Sequence, residues 1–185
     1  MIRLGFVLAV LVLAAASEFL WGNLSSSGQE PTAAILSDDL VRILMSVALG
    51  GALVQALVLG HRVSPLELGS GVALCSAGLI LRSMAMMQLG GRYRMSPTFQ
   101  VDHQHMVTSG CYGRVRHPGY LALSMLALGL CLLMSGVAAS LWVAPLVMSF
   151  VMRIRLEEGL LMAEFGDPYR HYQVRVPWKI VPHVF

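Results

Sequence analysis

Charge is what this sequence has least of. Only 12% of its 185 residues are Asp, Glu, Lys or Arg, against 56% hydrophobic, and the mean hydropathy is +0.69. Soluble domains carry about 25% charged residues, so this composition points to a membrane rather than to water. Lysine is nearly missing as well: twelve of the thirteen basic residues are arginine. Those arginines stand at the ends of apolar segments, as membrane anchors do, and not along a face that could track nucleic-acid phosphates. The formal charge of +3 therefore gives no reason to expect a nucleic-acid partner. Cysteine is scarce and unpaired in pattern. Cys75, Cys111 and Cys131 are odd in number and contain no CxxC, which indicates neither a disulfide framework nor a structural zinc. Cys75 and Cys131 fall in apolar runs, where cysteine behaves as a small buried hydrophobe. His103 and His105, with Asp102 beside them, lack the matched second pair of a metal set, so no metal is expected.

What is there instead is a series of five apolar segments within one domain, residues 1–185. The first runs from Leu4 to Trp21. The alternative for it, a cleaved signal peptide ending near Ala14-Ala15-Ala16-Ser17, fits less well because the apolar run continues through Phe19-Leu20-Trp21. A polar loop over 22–39 ends in Ser37-Asp38-Asp39, which reads as helix-capping chemistry before a second segment from Leu40 to Gly60. Ala48, Ala52 and Ala56 at four-residue spacing, with Gly51 beside them, let another helix approach closely. The link His61-Arg62-Val63 is short enough to make segments two and three an antiparallel hairpin. Ser64-Pro65-Leu66-Glu67 is a capping box with proline at the first helical position. Segment three, Leu66 to Leu89, carries Arg82 inside an apolar run. Such an arginine either serves function or snorkels to the interface, and both readings stand.

The run Leu121 to Ile154 is too long for one crossing, which needs only ~20 residues. Ser135-Gly136 is placed to turn it into a tight two-helix hairpin, and Pro145 is expected to kink the second helix. That helix should continue to Phe165 and stop at Gly166, with Asp167-Pro168 opening a short amphipathic turn that bears Tyr169 and Tyr172. The expected fold class is thus an all-α integral membrane protein of about five transmembrane helices. Residues 1–89 form a three-helix scaffold, and residues 90–185 form a core in which the 90–118 loop and the C-terminal tail meet. Five crossings put ten basic residues on the side of that loop and tail and only Arg3 and Arg62 on the other, so the positive-inside rule makes that side cytoplasmic.

Two polar runs stand out against this background. One is Gly110-Cys-Tyr-Gly-Arg-Val-Arg-His-Pro-Gly-Tyr120, in which Pro118 opens a helix of Leu, Ala and Met. The free N–H groups and positive dipole end of that helix sit beside His117 and suit an anionic ligand group. The other is Arg153-Ile-Arg-Leu-Glu-Glu158. On a helix, Arg153 and Glu157 share a face while Glu158 is turned about 100° away. Taken alone, the pair is a solvated helix-end ion pair worth under ~1 kcal/mol; its position at the membrane boundary is what favours a functional reading.

These runs together carry a resemblance. Gln104-His-Met-Val-Thr-Ser-Gly-Cys-Tyr-Gly-Arg-Val-Arg-His-Pro-Gly-Tyr120, then Arg153-Ile-Arg-Leu-Glu-Glu158, Glu164-Phe-Gly-Asp-Pro-Tyr-Arg-His-Tyr172 and Arg175-Val-Pro177, resemble in order and spacing the isoprenylcysteine carboxyl methyltransferase family. The resemblance covers the C-terminal half. It implies a multi-pass membrane enzyme that uses S-adenosylmethionine on a lipophilic or prenylated acceptor among membrane lipids. By matching positions it implies cofactor contacts at His105, Met106, Val107, Tyr112, Arg116, His117, Pro118, Tyr120 and Glu157, with the acceptor carboxylate on Arg153 and catalysis carried by Arg153 and Glu157. In one place the sequence departs from the family: Gln104 occupies the usual histidine position and His105 follows it. The alternatives are a phospholipid amine or small thiol methyltransferase, a sterol-reductase-like enzyme using a nicotinamide cofactor (NADPH), and a membrane interaction protein without activity.

Overall fold

The computed structural model describes residues 32–59, 63–90 and 106–185. Segment one, the His61-Arg62 link, and the loop residues Arg92, Arg94, Asp102, His103, Gln104 and His105 lie outside the described residues. Five helices carry the described fold: α1 (Thr32–Leu59), α2 (Pro65–Leu89), α3 (Pro118–Ser135), α4 (Val143–Phe165) and α5 (Asp167–Arg175). Short 3-10 turns at Gly110–Gly113 and Val137–Trp142 precede α3 and α4.

The start of α2 follows from its first four residues. Ser64 Oγ accepts from the Glu67 N–H at 3.2 Å and Glu67 Oε2 accepts from the Ser64 N–H at 2.7 Å, the reciprocal capping box, while Pro65 needs no partner for an N–H it lacks. Helix α1 differs from expectation. It begins at Thr32 and runs through Ser37-Asp38-Asp39, eight residues before the expected start at Leu40. A polar residue inside a helix costs only a fraction of a kcal/mol.

Helices α2 and α3 form the most extensive packing in the structure and run antiparallel. Their contact is built on small residues. A Cβ on Gly129 would lie 2.7 Å from Cys75 Sγ, one on Gly71 would lie 2.9 Å from Leu133, and one on Gly78 would lie 3.0 Å from the Ala122 carbonyl. Only glycine allows the backbones this close. The same register carries Arg82 to the first turn of α3, where its Nη1 would be 3.2 Å from a Cβ on Gly119. It also carries Gln88 to the Gly110 turn: Gln88 Oε1 accepts from the Cys111 N–H at 3.0 Å and from Cys111 Sγ at 2.8 Å. Gly110 has φ 63 and no room for a side chain against Gln88.

Helix α1 packs against α3 and α4 through Ala52, with Ala127, Cys131, Leu146, Phe150 and Ile154 in the shared core. Ala48 and Ala52 are fully buried, and Gly51 lies against the Trp142 ring, as the four-residue spacing implied. The turn at Ser135-Gly136 falls where expected, with Gly136 at φ 72. It opens into a 3-10 stretch, so the hairpin is looser than a tight turn. Pro145 corrects an expectation. It is the third residue of α4, in the first turn, where backbone N–H groups have no intrahelical partner, so it does not kink the helix interior. Helix α4 ends before Gly166 at φ 57, and α5 follows with Pro168 in its first turn and with Tyr169 and Tyr172 buried.

Among the described residues, α2 is the one helix long and apolar enough to cross a membrane by length and composition. Shorter apolar stretches are Ile43–Ala56 and Pro118–Met134. The 18 residues of α3, at ~1.5 Å rise each, reach about 27 Å, close to the ~30 Å of a hydrocarbon layer.

Candidate active site

The start of α3 and the second half of α4 meet at one end of the bundle, so the two polar runs of the sequence come together. Tyr120 is in the first turn of α3, and its hydroxyl donates to Glu157 Oε1 and accepts from Arg153 Nε. Arg153 Nε also donates to Glu157 Oε1 at 3.2 Å, the i,i+4 contact that helical spacing predicts. Phe150, one turn earlier on α4, packs its ring 5.1 Å from that of Tyr120. Arg153 is buried, so this cluster is no solvated helix-end pair.

His117, the residue that caps α3, is buried between the two glutamates. Its Nδ1 is 3.5 Å from Glu157 Oε2 and its Nε2 is 3.4 Å from Glu158 Oε1. Burial alone would lower the His117 pKa, but the carboxylates of Glu157 and Glu158 raise it above the ordinary histidine value. Glu157 is pushed up by burial and pulled down more strongly by His117, Tyr120 and Arg153, so it stays ionised. Glu158 likewise resists burial through His117, Lys179 and Arg116 and is held at about 2. Three cationic side chains, Arg116, Arg153 and Lys179, together with His117, thus face two carboxylates. The surplus positive charge suits an anionic guest in a dry site.

Glu158, turned away from the Tyr120 side, belongs to a second set of contacts. It accepts from Arg116 Nε at 2.8 Å and from Lys179 Nζ at 2.9 Å. Arg116 Nη1 donates to the carbonyls of Val176 at 2.7 Å and Pro177 at 2.8 Å. The Arg116 and His117 N–H groups donate to the carbonyls of Trp178 at 2.9 Å and Lys179 at 2.8 Å. The tail therefore lies alongside the motif and fixes its backbone. Arg116, expected at the cofactor, is here turned onto Glu158 and the tail.

Of the remaining expected residues, Met106, Val107, Tyr112 and Pro118 are among those described. Pro118 is fully buried at the head of α3. Tyr112 gives its carbonyl to the Tyr172 hydroxyl at 2.7 Å, and Met106 packs on the cluster of Tyr169, Tyr172 and Val176. Val107 is half-buried beside Met106, and His105 lies outside the described residues. Sequence reasoning did not single out Gln88, Lys179 or the tail carbonyls.

His117 Nε2 is buried, and its nearest polar neighbour, the Glu158 carboxylate at 3.4 Å, leaves it without a well-formed hydrogen bond among the described residues. A buried imidazole between two carboxylates, beside a helix start, is compatible with a zwitterionic ligand that carries both an amine and a carboxylate. S-adenosylmethionine is such a molecule, and the residues present fit it.

The described residues form an all-helical fold with a polar site at one end of an apolar bundle. The structure aligns with that of the eukaryotic intramembrane Ras methyltransferase ICMT at a TM-score of 0.66 and 22% identity, covering 98% of this chain and 67% of that one. That likeness is one of fold. Residues 71–163 match the isoprenylcysteine carboxyl methyltransferase (ICMT) family, and the chain belongs to that family. It is 34% identical over 110 residues to the protein-S-isoprenylcysteine O-methyltransferase of Schizosaccharomyces pombe, covering 58% of this chain and 47% of that protein. It is 32% identical over 111 residues to the probable protein-S-isoprenylcysteine O-methyltransferase of Oryza sativa subsp. japonica, covering 57% of this chain and 56% of that protein. A Delta(14)-sterol reductase of Methylotuvimicrobium alcaliphilum is 27% identical over 82 residues, covering 43% of this chain and 19% of that protein. The chain spans about half the length of the methyltransferase relatives it matches.

Proposed function

We propose that the protein is an S-adenosylmethionine-dependent methyltransferase that acts at the membrane on the carboxylate of a lipophilic, isoprenylcysteine-like acceptor. The observation that carries this reading is the convergence of His117 and Tyr120 with Arg153 and Glu157, from two runs more than thirty residues apart. Family membership supports the same reading. His117, Pro118, Tyr120 and Glu157 would hold the cofactor, with Met106, Val107, Tyr112 and His105 around it, and Arg153 would hold the acceptor. When bound, S-adenosylmethionine supplies a methyl group on a positively charged sulfur.

The chain's own residues then have three tasks. Glu157 offers a fixed negative charge to the cationic half of the cofactor, and Tyr120 keeps that carboxylate in place. Arg153 orients a carboxylate, which at a pKa near 4 is already ionised and needs no general base. Phe150 and Pro118, both fully buried, keep water from the site, where loss of two opposite charges on transfer favours the transition state. Positioning of the acceptor is the main contribution of the protein.

The test is binding and turnover in the purified, detergent-solubilised protein. Arg153→Lys and Arg153→Ala should both bind the cofactor. Turnover with a prenylcysteine acceptor should fall in the lysine variant and fall further, by roughly 30- to 150-fold, in the alanine variant, as loss of a charge-assisted contact of about 2–3 kcal/mol implies. Wild-type turnover in Arg153→Ala would move an amine or thiol acceptor ahead. The similarity to a sterol reductase gives a second reading, reduction with NADPH, and binding of NADPH in place of S-adenosylmethionine would establish it.

A further inference from the structure

An open cavity of about 320 Å³ lies along the C-terminal tail. Gly113, Arg114, Arg175, Trp178, Pro182 and His183 line it, and no carboxylate does. Its size is at the lower end for ligand cavities. Arg114 follows the Gly110–Gly113 turn and Arg175 ends α5, so the cavity spans two separate segments. Among the described residues, neither guanidinium has an ion-pair partner. Two unpaired like charges at one cavity repel each other, and an anion placed between them reverses the sign of that term. The Trp178 and His183 rings stand 4.9 Å apart, and His183 is the one non-glycine residue at positive φ among the described residues, at 65°.

One stretch of chain serves both this cavity and the active site. Val176, Pro177 and Trp178 give their carbonyls to Arg116, so what fastens the cavity also fastens the motif. We propose that the cavity binds a phosphate-type anion between Arg114 and Arg175 against Trp178, and that its occupation fastens the C-terminal tail to the Gly110–His117 run. The anion is either the headgroup of an anionic lipid or a free phosphate. A basic pocket with an interfacial tryptophan suits the first, and arginine forks suit both. This inference does not depend on the methyltransferase reading.

Hydrogen exchange at the Arg116 and His117 amides, which donate to the tail, reports the fastening directly. The full chain is measured in detergent with sodium phosphate against sodium chloride at equal ionic strength, and in phosphatidylcholine vesicles with and without phosphatidylglycerol. At ten times its dissociation constant, a ligand that binds only the closed tail makes opening about elevenfold rarer, so exchange should slow by that factor. Slowing by phosphate identifies a soluble anion, and slowing by phosphatidylglycerol alone identifies a lipid headgroup. Arg114→Gln and Arg175→Gln, both at exposed positions, should each remove the response, and either variant alone suffices as the reading. Arg170→Gln removes the same charge from α5 outside the cavity and should respond as wild type. Equal exchange in phosphate and chloride together with equal exchange in both vesicles overturns the proposal, as does an undiminished response in Arg114→Gln or Arg175→Gln.

Discussion

His117 and Glu158 show what burial does to single residues at this site. Glu158 keeps its charge down to about 2, so its contribution to stability is complete above the ordinary carboxylate value of 4.5 and is lost as pH falls from there towards 2. His117 works in the opposite direction. Its folded pKa is raised above 6.5, so the stability its charge supplies is complete below 6.5 and is lost as pH rises through the folded value. The thermal midpoint of the wild type should therefore decline on the alkaline side, and His117→Gln should remove that decline. Parallel profiles for the two proteins between pH 6 and 9 would sink this account. At the same scale, Tyr120→Phe and Glu157→Gln should each weaken cofactor binding by roughly 10- to 150-fold in calorimetry, the worth of a hydrogen bond to a charged group. The shared face of Arg153 and Glu157 was legible from their spacing, and so was the turning away of Glu158. The partners of Glu158 were not: Lys179 is 21 residues downstream in a tail with no periodic pattern.

Elements were easier to read where a local rule governs them. Ser64, Gly136 and Gly166 each set a helix boundary by chemistry within four residues, and all three boundaries fall where the sequence puts them. The start of α1 and the place of Pro145 were misread because polar or proline residues near a helix start fit either side of it. The α2–α3 contact offers a clean test of element packing. Gly129→Ala must displace Cys75 or the Gly71 carbonyl, 2.9 Å from the new Cβ, and should lower unfolding stability by about 1–3 kcal/mol. Gly69→Ala, on the same face-to-face pair of helices but with nothing within 4 Å, should raise it by about 0.5–1 kcal/mol through helix propensity. Similar denaturation midpoints for both variants would mean that the glycine contact does not set the spacing. Arg116→Lys keeps the charge but loses the planar fork that reaches Glu158 through Nε and two tail carbonyls through Nη1, so the tail amides of that variant should exchange faster.

For the molecule as a whole, composition alone separates membrane from water, and the helical fold follows from the need to satisfy every backbone group within the bilayer. The expected five crossings come from the apolar segments, and their expected direction from arginine placement, with ten basic residues against two. Arg114→Cys and Gln173→Cys place labels on the loop and on α5, and all three native cysteines are buried. Both labels should react from the cytoplasmic side of sealed vesicles and not from the other. Reaction from opposite sides would break the five-crossing topology. The meeting of loop and tail was legible in the sequence, but the tail's contacts were not, because most of them run through backbone carbonyls, which every residue has.

The tail sets an order of events. Arg116 leaves the ribosome sixty residues before Val176, whose carbonyl it needs. At synthesis rates of about 5–20 residues per second, the gap lasts roughly 3–12 s. Glu158 follows 42 residues after Arg116, so for the first part of that interval Arg116 has neither partner, and for the last eighteen residues it has Glu158 without the tail carbonyls, with α2 and the start of α3 already made. A nascent chain thus carries its bundle before its binding site, and a ligand that recognises the finished motif meets it only after Lys179 has been added.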